Sequence, residues 1–377
     1  MEFSDSELER YSRHLLLREV GRAGQERLRA ARVLVAGAGG LGSPAALYLA
    51  ASGVGTIGIA DGDAVELSNL QRQILFSSAD LARPKAQVAR ERLQALNPQV
   101  AVVAHPLELR AANVAEVLAG YDLVVDGTDR LGSRYLINDA CVILGKPLVS
   151  AAIHRFEGQA MTYVPGRGPC YRCLFPDAAM ASVASCAEAG VLGVLPGVLG
   201  AIQATEAIKL ILGQGEPLIG RLLTYDALEM RFQEFPVTRR TDCPVCGDAP
   251  TISVPSDPAG TAEEGPASLR RLAPRELAAL LDSAARGGAA IRLVDVREPA
   301  EFAAGHLPGA TSVPLAEIGR RDWSSADQQL TVFLCRSGAR SVRAGAIAAQ
   351  RGLHGPAHLE GGLLAWAASV DPDFRVT

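Results

Sequence analysis

The stretch RVLVAGAGGLGSPAALYLAASG, residues 32–53, decides the fold. It reads as an apolar strand, a glycine turn and an alanine-rich helix in immediate succession. Gly37, Gly39, Gly40 and Gly42 fall on the G-x-G-x-x-G spacing, in the strand-to-helix context that the pattern requires. Glycines let a backbone approach a phosphate group, and a helix N-terminus offers N–H groups without partners of their own. The next apolar run, GTIGIAD (55–61), closes on Asp61, placed where a carboxylate accepts from ribose hydroxyls.

Working outward, Ser4 and Glu7 form a capping box that opens a helix through about Arg18. Arg83–Leu96 has helical composition, with Pro84 at a first-turn position. QVAVVAHP (99–106) and YDLVVDGTD (121–129) read as strands, each followed by a helix, and KPLVSAAI (146–153) as another strand. This alternation predicts a mostly parallel, doubly wound, Rossmann-like α/β domain over residues 1–248. APTISVPSDPAGTAEEGPAS (249–268) holds Pro250, Pro255, Pro258 and Pro266 and reads as a solvated linker. Alternation resumes over 269–377, a second and smaller α/β domain: a helix at 274–285, strands at 291–296 and 330–335, and a helix from about Ser341.

The 377 residues carry a net charge of −4, against the basic face that nucleic acid or an acidic membrane rewards. MEFSDSELER at the N-terminus lacks the pattern of a signal peptide. The uncharged run Ala189–Thr205 is broken by Pro196 and four glycines, so it reads as buried core rather than a membrane span. Seven cysteines in a chain of this length suit metal binding, nucleophiles or burial in a reducing cytoplasm.

DGDAVELSNLQRQ (61–73) places carboxylates, an amide and Arg72 just past the second strand, and Lys85 follows in RPKAQ. Two cations beside one glycine loop suit a triphosphate better than a dinucleotide. Asp63 and Asp129 are candidate Mg²⁺ ligands, since that hard ion favours carboxylate and phosphate oxygens. An NAD-dependent oxidoreductase would keep the glycine loop and Asp61 and leave Arg72 and Lys85 unexplained. The bland alternatives are a surface Arg72 and a solvated Lys85.

GAGGLGS, DGDAVELSNLQRQ, the lysine of RPKAQ and the later EAGVLG (188–193) together resemble the adenylyltransferases that activate ubiquitin-like sulfur carriers, over about residues 5–248. Ubiquitin-activating enzymes are more distant relatives. The resemblance implies ATP, Mg²⁺ and a homodimer. It implies a nucleotide site built from Gly37, Gly39, Gly40, Gly42, Asp61, Asp63, Ser68, Asn69, Leu70, Gln71, Arg72, Lys85 and Asp129, with Arg13 of RYSRH reaching the phosphates of the neighbouring subunit. One position departs from the family's pattern: Arg130 stands where asparagine is usual, which puts the contacts of that amide in doubt.

Cys170-Tyr-Arg-Cys173 and Cys243-Pro-Val-Cys246 are paired C-x-x-C turns able to build a tetrahedral Cys₄ site for Zn²⁺. A thioredoxin-like pair is the competing reading; neither pair is expected to open a helix after a strand. The resemblance also carries this closed zinc site. Cys186 lies among small residues in SVASCAEAGVLG, where resembling enzymes often have a cysteine and ubiquitin-activating relatives form a thioester; its bland reading is an inert loop residue. Cys141 reads as buried, and His14, His105, His154, His354 and His358 show no ligand spacing.

In the second domain, CRSGARS (335–341) follows a strand and precedes a helix. Such a loop turns its N–H groups onto the sulfur; with Arg336, Arg340 and the helix start it would hold a thiolate or persulfide on Cys335. The Cys-x₄-Arg spacing is one short of a tyrosine-phosphatase loop. VDVREPAEFAAGHLPGATSVPL (294–315) and LEGGLLAW (359–366) resemble rhodanese signatures over 269–377. That implies sulfur transfer through a Cys335 persulfide, with Asp295, Arg297, Glu301 and His306 as framework.

The combination resembles the molybdopterin-synthase adenylyltransferase/sulfurtransferase fusions. It implies adenylation of a carrier's C-terminal Gly-Gly, then persulfide transfer to give a thiocarboxylate, the persulfide being supplied by a cysteine desulfurase or thiosulfate. Molybdenum cofactor biosynthesis is the leading pathway; tRNA thiolation, thiamine, cysteine and siderophore pathways use the same chemistry. A non-catalytic carrier-binding scaffold is the rival of a different class. A flexible linker of about 20 residues has a reach of roughly 25 Å, enough for Cys335 to visit an adenylate at millimolar effective concentration.

Overall fold

The computed structural model describes residues 3–176, 190–257, 269–323 and 329–376. The chain divides into two compact units, Met1–Pro258 and Ala259–Thr377.

In the first unit the Ser4 capping box is present and starts α1 (Asp5–Arg10). The expected single helix to Arg18 is instead two pieces, because the chain turns at Tyr11 before α2 (Ser12–Leu15). Tyr11 is buried against Gly53 and accepts a hydrogen bond from Asn97 Nδ2 (2.8 Å), a tertiary anchor stronger than helix continuity. There follow α3 (Gly21–Ala30), β1 (Arg32–Ala36), α4 (Gly42–Ala51) and β2 (Thr56–Ala60). Then come α5 (Lys85–Leu96), β3 (Ala101–His105), α6 (Val114–Ala119), β4 (Leu123–Asp126) and α7 (Leu131–Ile143). Pro84 sits at the N-cap of α5, not in its first turn. Backbone bonds from Val65 N–H to Arg83 O and from Lys85 N–H to Asp63 O hold that segment extended against the 61–65 loop.

The unit is completed by β5 (Leu148–His154), β6 (Glu157–Tyr163), α8 (Tyr171–Leu174), α9 (Leu195–Leu212), β7 (Arg221–Asp226) and β8 (Arg231–Pro236). Among the described residues eight strands form one sheet, ordered β3-β2-β1-β4-β5-β6-β7-β8. The first five are parallel, as the alternation predicts. The last three add an antiparallel extension that the sequence reading does not contain. Successive residues of β1 fill opposite cores: Val33 and Val35 pack with Leu49 and Leu93, Leu34 and Ala36 with Leu118 and Ile137. Strand order reverses between β1 and β4, which opens a crevice at their C-terminal ends.

The uncharged run lies largely in α9, which is long and apolar enough to cross a membrane by length and composition, with half of it buried inside the protein. The core reading is the one its contacts support. Gly200 has no room for a side chain against Leu41 and Pro44. Gln203 Nε2 donates to Asp126 O (2.6 Å), and Glu206 accepts from Thr162 Oγ1 (2.7 Å) and Leu218 N–H (2.6 Å).

Residues 251–257, within the expected linker, hold bonds to the first unit. The N–H groups of Thr251 and Ile252 donate to Pro244 O, Ile252 packs on the core, and Asp257 Oδ1 accepts from Ala111 N–H (2.9 Å). Prolines exclude a helix here, yet one isoleucine finds an apolar groove.

The second unit contains β9 (Arg270–Leu272), α10 (Pro274–Ala285), β10 (Ile291–Asp295), α11 (Pro299–Ala304) and β11 (Ala310–Ser312). It continues through α12 (Leu315–Ile318), β12 (Leu330–Leu334), α13 (Ala339–Gln350), β13 (Ala357–Leu359) and α14 (Gly362–Ser369). Among the described residues its sheet is all parallel, ordered β11-β10-β12-β13-β9, with a core on each face.

Candidate functional site

The crevice at the end of β1 is a cavity of about 300 Å³. Gly37 turns at φ +87°, a conformation that excludes most side chains, and its N–H donates to Ala60 O (2.7 Å). Asp61 folds inward: Oδ2 accepts from Ala38 N–H and Oδ1 from Asp63 N–H, both at 2.8 Å. Burial pushes the Asp61 carboxyl above the ordinary aspartate range, with nearby Lys85 pulling it back. Lys85 is no solvated helix face: its side chain is 6% exposed and Nζ donates to Asp63 Oδ2 (3.0 Å). Arg72 is half-buried, its guanidinium donating to Ser68 O (3.1 Å).

The cavity wall thus brings together Gly37, Gly39, Gly40, Asp61, Asp63, Arg72, Lys85 and Asp129. It does not include Gly42, Ser68, Asn69, Leu70 or Gln71. Gly42 serves packing, since an added Cβ would run into the Gly37 carbonyl. Ser68 Oγ donates to Glu66, buried Asn69 donates to Ser68 Oγ (3.3 Å), Leu70 packs on the core and Gln71 lies against Gly193. Arg13 is exposed on α2, away from this wall. Sequence reasoning missed Gln73 as a site residue. It is buried, lines the cavity, and its Oε1 has no partner among the described residues.

A second cavity of about 620 Å³ adjoins the first, sharing Asp129 and Ile153. Its wall comes largely from the antiparallel extension, with Tyr225, Gln233 and Phe235, together with His154, Tyr171 and Phe175.

Cys170, Cys173, Cys243 and Cys246 place their sulfurs within 4.8 Å of one another. Contrary to expectation Cys170 does open a helix, the single turn α8, but the four-way cluster favours a metal over a redox pair. α7 holds that turn: Asn138 Oδ1 accepts from Tyr171 N–H (2.8 Å), and Asp139 takes both Nε and Nη2 of Arg172 at 2.7 Å. Burial and the neighbouring sulfurs push the Cys170 thiol strongly up, and burial raises Cys246 to about 11. Cys243 is lowered despite burial, because backbone N–H groups of Cys246 and Val245 point at it. Four thiolates crowded this closely repel unless a cation lies between them, so this soft donor set is compatible with a metal site. Cys186 lies outside the described residues. Cys141 is fully buried, and burial drives its thiol up, as an inert core cysteine requires.

In the second unit Cys335 ends the β12 segment with its sulfur receiving the N–H groups of Gly338 (3.1 Å) and Ser341 (3.3 Å). Gly338, at φ +100°, makes that curl possible. The LEGGLLAW segment closes behind it, Leu363 N–H donating to Cys335 O (2.8 Å). Arg340, expected beside the sulfur, forks onto Glu301, at 2.6 and 2.8 Å. The described contacts to the sulfur are the amides of Gly338 and Ser341 and the Ser341 hydroxyl, at 3.6 Å. Asp295 and Arg297 form a fully buried pair, Arg297 also donating to Gly305 O (2.6 Å), in keeping with a framework role. His306 stacks on Phe302.

Comparison with known proteins matches residues 11–245 to the ThiF family and residues 273–369 to the rhodanese-like domain. The chain belongs to the ThiF family. This ThiF-family chain is 43% identical over 382 residues to the probable adenylyltransferase/sulfurtransferase MoeZ of Mycobacterium tuberculosis, covering 98% of this chain and 95% of that one. It is 54% identical over 257 residues to the sulfur carrier protein adenylyltransferase of Thermus thermophilus, covering 67% of this chain and 95% of that protein. A crystal structure of E. coli MccB with AMPCPP and MccA superposes with a TM-score of 0.56 at 26% identity, covering 63% of this chain and 74% of MccB. The chain is an enzyme of the adenylyltransferase and sulfurtransferase class, with the adenylyltransferase fold in its first unit and the rhodanese-like fold in its second.

Proposed function

We propose that this protein adenylates the C-terminal Gly-Gly carboxylate of a ubiquitin-like sulfur-carrier protein with ATP and then converts it to a thiocarboxylate. The observation that carries the reading is Asp129, shared between the glycine-loop cavity and the second cavity. ATP occupies the first cavity, its phosphates beside Arg72 and Lys85 and its ribose at Asp61. The carrier's tail enters from the second cavity, where a Gly-Gly end is narrow enough to reach the α-phosphate.

A carboxylate oxygen of the tail attacks that phosphorus, its bond to the bridging oxygen breaks, and pyrophosphate leaves with the electron pair. Arg72 and Lys85 hold the charge that develops, joined by Arg13 of a second subunit in a homodimer. Asp63 and Asp129 face the same cavity and would hold Mg²⁺, which neutralises phosphate charge. The four clustered cysteines would hold Zn²⁺ as a closed structural site.

Cys335, charged as a persulfide by a cysteine desulfurase or thiosulfate, attacks the acyl carbon with its terminal sulfur, and AMP departs. Cys186 then attacks the Cys335 sulfur of the acyl-disulfide, releasing the thiocarboxylate and leaving a Cys186–Cys335 disulfide for cellular thiols to reduce. The cytoplasm, where free thiols persist, is the compartment for this chemistry, and molybdenum cofactor assembly is the pathway the resemblance favours.

Purified protein should catalyse carrier-dependent ATP–pyrophosphate exchange. Asp129→Ala or Arg72→Ala should lower it by at least ~10²-fold, the scale of one charge-stabilising group. Full exchange in both variants would remove the assignment.

A pH dependence follows from Asp61. Its raised value means that the ribose acceptor protonates at a higher pH than an exposed aspartate. ATP affinity should therefore fall on acidification before ordinary aspartates titrate, and Asp61→Asn should flatten that acid limb. Titration calorimetry across the acid range checks it; an acid limb unchanged in Asp61→Asn sinks the assignment of Asp61.

A further inference from the structure

The glycine-loop cavity is lined by two chemically distinct sets of residues. Gly37, Gly40, Arg72 and Lys85 form one set, cationic and rich in backbone amides. Pro106, Leu107, Leu109 and Ile137 form an apolar set, the surroundings a purine ring needs. Asp61, the ribose acceptor, closes β2, next to β3, from whose end the apolar loop departs.

An ion pair joins two segments of this cavity's wall. Arg130, from the segment after β4, donates through Nη1 to Glu108 Oε1 (2.9 Å), and both residues line the wall. β2 and β1 lie between β3 and β4 in the sheet, so the pair joins loops that leave two non-adjacent strands. Glu108 is fixed from behind: Oε2 takes Arg110 (2.6 Å), its carbonyl takes Asn113 Nδ2 (3.0 Å), and Gly62 packs against its backbone where a Cβ would not fit. The Arg130 side chain, by contrast, is 66% exposed. A pair this open to solvent adds little to folding stability, so its place on the cavity wall is what calls for explanation.

We infer that Arg130 caps the purine of the bound nucleotide, its planar guanidinium covering the base and Glu108 holding it in position. This rests on the reading of the cavity as the ATP site. A flat cation stacks on an aromatic face in a way that a small amide does not. The recognised group is the purine, common to ATP, ADP and AMP.

The test is calorimetric titration of the full chain with ATP and with AMP, for wild type, Arg130→Asn and Glu108→Gln. Arg130→Asn should weaken ATP and AMP by the same factor, about threefold to thirtyfold. Glu108→Gln, which frees the guanidinium without removing it, should weaken both by a smaller common factor. Wild-type ATP affinity in Arg130→Asn overturns the inference and leaves the ATP site standing. A loss for ATP with AMP unchanged also overturns it, assigning Arg130 to the phosphates. Failure of the wild type to bind ATP overturns the site and this inference together. Should Arg130→Asn melt far below wild type, Glu108→Gln decides alone: affinities equal to wild type overturn the inference.

Discussion

Cys335→Ala is expected to abolish sulfur transfer from thiosulfate to cyanide and to stop thiocarboxylate formation, while carrier-dependent ATP–pyrophosphate exchange continues near the wild-type rate. The expectation follows from where the thiols lie. Among the described residues Cys141 is sealed in a core, four cysteines face one another in a cluster, and Cys335 stands apart from both, cradled by amides at a helix start. Removing a nucleophile that forms the covalent intermediate costs on the order of 10³-fold or more. The glycine-loop cavity and the Cys335 nest belong to separate compact units, so the exchange reaction keeps every residue it uses. Parallel loss of exchange and sulfur transfer in Cys335→Ala, with the variant folded, would contradict that separation.

The second large effect concerns the cysteine cluster. Wild-type protein should contain about one zinc per chain, and Cys243→Ser should contain almost none. Cys170, Cys173 and Cys243 are buried in the same core as Ile137 and Val124, so loss of the ion leaves thiols packed together inside that core. Structural zinc contributes folding energy directly, at apparent values of about 10–16 kcal/mol in isolated zinc-finger peptides. In a unit with its own large core the expected loss is smaller, about 3 kcal/mol or more, the cost of removing a native cross-link. Metal analysis and thermal unfolding measure the two halves of this prediction. A metal-free wild type as stable as the zinc-loaded protein would refute it.

The residues that spoke clearly in the sequence are those whose role is local. Residues 32–53 encode strand, turn and helix by apolar period and glycine spacing, and β1 and α4 form there. CRSGARS encodes a sulfur nest within seven residues, and the amides do point at the sulfur. What was not legible depends on distant partners. β8 is exposed along its whole length, so no apolar alternation marked it, and β9, β11 and β13 span three residues each, too short to show a period. Arg340 lies in the sulfur-holding loop, yet its partner Glu301 is 39 positions away. Gln73 reads in the sequence as one more polar residue of the SNLQRQ run; only the folded wall shows a buried amide lining the cavity, its oxygen without a partner among the described residues. Gly42 matched the phosphate-binding pattern by spacing, yet its missing side chain serves the contact with Gly37.

The central claim, that one chain both activates and thiolates the same carboxylate, is tested most directly by mass spectrometry of the carrier. A ubiquitin-like carrier ending in Gly-Gly is incubated with the full chain, ATP, Mg²⁺, thiosulfate and a thiol reductant. The account predicts that one C-terminal oxygen is replaced by sulfur, only when ATP is present and only with Cys335 intact. A carrier that stays a plain carboxylate, while the same preparation catalyses both ATP–pyrophosphate exchange and thiosulfate-to-cyanide transfer, would contradict it.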